Sequence, residues 1–146
     1  VIEHVPDDLG VLAEARRALR PGGHLAISVP AYQFLYANND RVAHHKRRYT
    51  RGLLVRRVRA AGFEVRKATY VNVVLSPLII PLVLLRKLRE RLAPVAGDSY
   101  NNLDVGAPGP VNALLAAIFG GERHVLRHVS APFGHSLLLV ARKPPA

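Results

Sequence analysis

Apolar residues recur along this chain first at helical spacing and then in alternation. Val1-Ile2 read as the end of a buried strand that stops at Glu3-His4. Pro6-Asp7-Asp8 is a helix-start signal, and Val11, Leu12, Ala15, Ala18 and Leu19 then share one helical face, so a helix is predicted from about Asp8 to Leu19. The run Arg-Pro-Gly-Gly ends it: Pro21 biases Arg20 away from helix, and Gly22 can supply the positive φ of a type II turn. In HLAISVP, large Leu25, Ile27 and Val29 alternate with small Ala26 and Ser28, the pattern of a strand covered on both faces.

From Ala31 to Tyr49 no period is sustained, and a loop of this length inside a compact domain suits a lid or binding segment. Thr50 caps a second helix with Leu54, Val55, Val58 and Ala61 on one face, and Gly62 is placed to end it. FEVRKATYV follows as a strand. The apolar run Val71 to Leu85 is broken by Asn72, Ser76, Pro77 and Pro81, so it falls short of the roughly 20 apolar residues of a spanning helix. APVAGDSYNNLDVGAPGP reads as a loop, and Val111 to Phe119 as a short helix halted by Gly120-Gly121. HSLLLVARKP closes the pattern as a strand, ended by Pro144-Pro145. The order of strand, helix, strand, loop, helix, strand, helices, strand predicts an open α/β sheet. Such sheets bind ligands beyond the carboxyl ends of their strands, which puts His4 and the segment from Pro30 to Tyr49 on one rim.

Composition narrows the chemistry. The 146 residues suffice for one domain with a core. The absence of cysteine excludes a disulfide framework, a thiolate zinc site and a cysteine nucleophile, and suits a reducing, cytoplasmic setting. A net charge of +11 favours anionic partners: phosphates, nucleic acid or anionic lipid. Eight basic residues and no acid stand between Arg41 and Arg59.

The ordered motifs VIEHVPDD, LRPGGHLAISVPAY, HKRRYT and AAGFEV resemble the C-terminal half of a class I S-adenosylmethionine-dependent methyltransferase, of the kind labelled type 11 or 12. The resemblance implies an α/β, Rossmann-like fold in which Glu3-His4 ends the fourth strand, LRPGG leads into the fifth and Gly62-Phe63 into the sixth. PFGHSLLLVARKP would be the seventh strand, antiparallel between its neighbours, with a helical insertion at about 72–128. The family's glycine-rich loop and its ribose-binding acid have no counterpart here. The chain therefore reads as a domain portion truncated at the N-terminus, beginning at strand four and binding S-adenosylmethionine poorly by itself.

Within that resemblance the implied reaction is methyl transfer to a small-molecule or lipid-like acceptor. His4, with Glu3, is the candidate general base, because an imidazole titrates close to neutrality. The alternative is that the pair hydrogen-bonds the next helix or an adjacent loop. In related ubiquinone-type O-methyltransferases the matching Glu-His pair is linked to a metal completed by an acid upstream; no metal is expected here. His45, Arg48 and Tyr49 are placed in the lid at the active-site entrance, where arginine's planar fork could clamp an anionic substrate or pair with a nearby carboxylate. Tyr32 either lines the substrate pocket or packs under the loop. The apolar run ending in Arg86, Lys87, Arg89 and Arg91 is either an anionic membrane surface contact or a helix pair covering the sheet or the pocket. Two competing readings are a basic nucleic-acid-binding or RNA-methylating protein, disfavoured by sparse aromatics in the basic stretch, and a membrane-peripheral, non-enzymatic relative of the fold.

Overall fold

A computed structural model describes residues 1–92 and 109–145. Asp7 accepts the Gly10 N–H at 2.9 Å and caps α1 (Asp8–Ala18), the helix that the apolar spacing predicts. Gly22, at φ +76°, turns the chain into β1 (His24–Pro30). Thr50 accepts the Leu53 N–H and opens α3 (Arg51–Ala60), and Gly62, at φ +82°, turns the chain toward β2 (Glu64–Val71). Two long helices, α4 (Ser76–Leu92) and α5 (Gly109–Leu126), precede β3 (Ser136–Arg142).

The described strands form one sheet in the order β1-β3-β2, with β3 antiparallel to both neighbours. The C-terminal strand thus sits in the middle, as the resemblance implies. Register places Ile27 beside Leu139 and Val29 beside Leu137, while Ala68 and Tyr70 flank the same two leucines from β2. This face meets Leu12 of α1 and Leu54 and Val58 of α3 in the main core. Ala26 and Ser28, on the opposite face, are exposed, where the sequence pattern predicts cover on both sides. The end of α5 meets that face at its β2 side, through Lys67 Nζ on the Leu126 carbonyl.

Three further expectations change. Val1–His4 is a turn rather than a strand end, closed by the His4 N–H on the Val1 carbonyl at 3.1 Å. Its backbone finds partners in the loop instead of a ladder: the Lys46 N–H donates to Glu3 O at 2.6 Å, and the Tyr49 hydroxyl lies 3.2 Å from Ile2 O. Gly120-Gly121 does not halt α5, which continues to Leu126. A helical glycine costs about 1 kcal/mol and is not a stop by itself, and Glu122 pins this turn by accepting the Asn72 and Val74 N–H groups at 2.7 and 2.9 Å. From Ser76 onward the broken apolar run folds as the continuous helix α4, with Pro77 in its first turn, where a missing N–H is tolerated, and Pro81 inside it. The expected loop after Leu92 lies outside the described residues. Among the described residues no helix is long and apolar enough to cross a membrane.

The segment without period is structured. It holds a 3₁₀ turn (Gln33–Leu35) and α2 (Asn38–Val42), and its ends are clasped by a parallel bridge between Ala31 and Tyr49. Tyr32 N–H donates to Tyr49 O at 2.8 Å and Tyr49 N–H to Pro30 O at 3.0 Å, so the loop leaves and returns at the carboxyl end of β1.

Candidate functional site

One buried carboxylate organises this loop. Asp40, 1% exposed, receives Arg48 Nε at 2.8 Å and Arg48 Nη2 at 2.9 Å, a two-pronged pairing. It also lies 2.9 Å from His45 Nδ1 and accepts the Ala37 N–H at 2.9 Å at the start of α2. Arg48 is itself buried; its remaining Nη1 donates to Ala31 O at 3.2 Å, and its backbone N–H to the Gln33 side chain at 2.9 Å. Its fork is therefore occupied inside the protein, and what it holds is the loop.

Held in this way, the loop delivers His45 to His4. The two imidazoles meet edge to face with centroids 4.7 Å apart. Glu3 is buried, and its Oε1 lies 3.4 Å from His4 Nε2. One ligand atom from each of Glu3, His4 and His45 falls within 4.8 Å of the others, a group that could hold a divalent cation. With Nδ1 of His45 on Asp40, its Nε2 is the nitrogen left for such a role, the arrangement in which a carboxylate orients a metal-binding imidazole. His4 itself remains exposed to solvent and to any molecule at the rim.

Tyr49 is fully buried, its hydroxyl 3.0 Å from Asp8 Oδ2 and 3.2 Å from the Ile2 carbonyl. Burial, then the Asp8 carboxylate, push the phenol well above its ordinary range, so Tyr49 is a neutral strut. Asp8 also takes Arg47 at 3.3 Å. Tyr32, at φ +60°, stacks on Tyr70 with centroids 5.1 Å apart and leans on Phe34 at 5.3 Å. Burial and the neighbouring Tyr70 hydroxyl raise the Tyr32 phenol to about 12. The structure thus brings Glu3, His4, His45, Arg48 and Tyr49 into one cluster and sets Tyr32 beside Tyr70.

Asp40, Asp8 and His135 are members of this region that pattern reading misses. Asp40 carries a legible signal: it is the single acid between Pro30 and Phe63, amid a crowd of basic residues. Asp8 reads as part of a helix-start signal, and nothing local marks His135, which tertiary packing half-buries near Arg48.

These groups give stability a defined pH dependence. Burial and then the charge of Arg48 hold His135 below its ordinary 6.5, so the unfolded chain takes up that proton first. Burial alone would raise Asp40, but hydrogen bonds from Arg48, His45 and the Ala37 N–H outweigh it and hold the carboxyl below 3.8. In both cases the unfolded state binds more protons, so stability falls with falling pH. The loss begins below about 6.5 through His135 and deepens below about 3.8 through Asp40. Urea melts across pH 3 to 8 are expected to show both stages, and His135→Gln to flatten the upper one.

No family model matches the chain, and no curated protein does. Solved structures do. A Bacillus halodurans C-125 protein assigned provisionally as a methyltransferase matches 99% of this chain with 61% of its own, at 16% identity and a TM-score of 0.50. This is the Rossmann-like methyltransferase fold. The [4+2]-cyclase SpnF matches the whole chain at 23% identity and a TM-score of 0.49, with 48% of its own length. Phosphoethanolamine N-methyltransferase 2 of Haemonchus contortus, solved with S-adenosyl-L-methionine, matches at 13% identity and 0.45 over 32% of its length. The chain thus spans about half the length of SpnF and less than two thirds of the Bacillus halodurans protein.

Proposed function

We propose that this chain belongs to an enzyme that transfers a methyl group from S-adenosylmethionine to a nucleophile on a small-molecule or lipid-like acceptor. The fold supports the reaction class, and the juxtaposition of exposed His4 with His45 beside the carboxyl end of β1 carries the reading. In it, His4 takes the proton from the acceptor's hydroxyl or amine, with buried Glu3 beside it to favour the imidazolium that forms. His45 and Tyr32 face the acceptor, while Arg48 and Tyr49 are positioning residues that hold the loop carrying His45.

Among the described residues, the turns that follow β1 and β2 offer no cradle for the cofactor. The backbone leaves β1 into Ala31 and β2 into Asn72, and neither turn is glycine-rich, so no run of free N–H groups is offered there. The activity is accordingly proposed for a polypeptide that carries the whole fold. Such a polypeptide, given methyl-labelled S-adenosylmethionine and a panel of hydroxylated and amine acceptors, is expected to bind the cofactor in calorimetry and to label at least one acceptor. Failure to bind the cofactor would refute the reading.

A further inference from the structure

The helix α4 is inside out. Leu78, Leu82, Leu85 and Leu92 follow one another at helical spacing, and they are 70, 63, 48 and 78% exposed. Leu88 flanks the same stripe, and Pro81 and Arg89 lie within it, all exposed. Ile79, Val83, Arg86, Lys87 and Glu90 occupy the inward half, where Lys87 Nζ donates to Phe34 O at 2.9 Å. Arg86, Lys87 and Glu90 thus lie toward the protein beside Ile79 and Val83, while the leucines lie toward the outside. In α5 no residue is fully buried, and Val111, Leu114, Phe119 and Val125 are exposed. Of the described residues, all the exposed large apolar side chains except Val1 and Phe34 fall between Val74 and Phe133.

We propose that α4 and α5 are a docking surface for a bilayer rich in anionic lipid, with the leucine stripe seated in the interface. The argument is charge complementarity. Arg89 stands in the stripe itself and Arg123 and Arg127 are exposed along and just beyond α5, while the exposed side of α4 carries no acid. Of the two acids described on these helices, Glu90 is turned inward toward Arg86, and Glu122 is bound to the backbone of Asn72 and Val74. A second copy seated stripe to stripe would bring arginine against arginine, with no carboxylate among the described residues on the exposed side of either helix to offset it. An anionic headgroup layer above an acyl boundary satisfies both the cations and the leucines. This arrangement does not depend on the methyl-transfer reading.

The test is flotation of the full chain with phosphatidylcholine vesicles, with and without phosphatidylglycerol, at low and high salt. Binding to the anionic vesicles, weakened by salt and reduced about tenfold or more in Leu82→Glu/Leu85→Glu, is the expected result. Circular dichroism checks that the variant is folded, and Leu78→Glu/Leu92→Glu replaces it if it is not. Arg89→Glu/Arg127→Glu is expected to remove the preference for phosphatidylglycerol. Absence of flotation, flotation unaffected by the glutamates, or a wild-type dimer in sedimentation that the same glutamates dissociate would overturn the proposal; the last would make the stripe an interface between copies.

Discussion

His4→Gln, in a polypeptide carrying the whole fold, is expected to lower kcat by about 10²–10⁴-fold while leaving the affinity for S-adenosylmethionine unchanged. Glutamine keeps a polar side chain beside Glu3 but cannot accept and hold a proton near neutrality. His4 is exposed and packs edge-on against His45, so the replacement removes chemistry and little packing. The pH–rate profile gives a second check: the limb that reports the general base should vanish in the variant. Unchanged kcat and an unchanged profile would reduce Glu3-His4 to a structural pair.

Asp40→Ala is expected to destabilise the protein by about 3–5 kcal/mol, the loss seen when one partner of a buried ion pair is removed. The cost is large because the Arg48 guanidinium, 8% exposed, is left charged and unpaired. His45 and the Ala37 N–H lose the same acceptor, so the loop should also release His45 from His4. Urea unfolding measures the first effect and the line width of the His45 ring resonance the second. The double variant Asp40→Leu/Arg48→Met should recover part of the stability without restoring the placement of His45, which separates the charge penalty from the positioning. Equal stability of wild type and Asp40→Ala would mean that water, not Arg48, satisfies this site.

Local chemistry made much of the fold readable. The caps Asp7 and Thr50, the turns at Gly22 and Gly62, and the short apolar run of β3 each act within a few residues, and each appears where its pattern predicts. Reading failed where partners lie far apart in sequence. Gly120-Gly121 looks like a stop until Glu122 is seen bound to Asn72 and Val74, fifty positions away. Val1–His4 looks like a strand end until its carbonyls are seen to be taken by Lys46 and Tyr49, more than forty positions away. The segment from Ala31 to Tyr49 shows no period because scattered individual contacts hold it, chiefly those of Asp40, Arg48, Gln33 and Tyr36, and these leave no periodic trace.

The amino-acid order alone determined where α1, α3 and the three strands of the sheet form, that the last strand reads as part of a methyltransferase-like sheet, and that a histidine stands at one rim with a basic loop. Those properties follow from spacing and backbone preference, which act over one or two turns. Only the tertiary structure decided that Arg48 spends its fork on Asp40, that His45 faces His4, and that the leucines of α4 point outward. These depend on which groups lose water together, and desolvation is a property of the folded surface rather than of any segment.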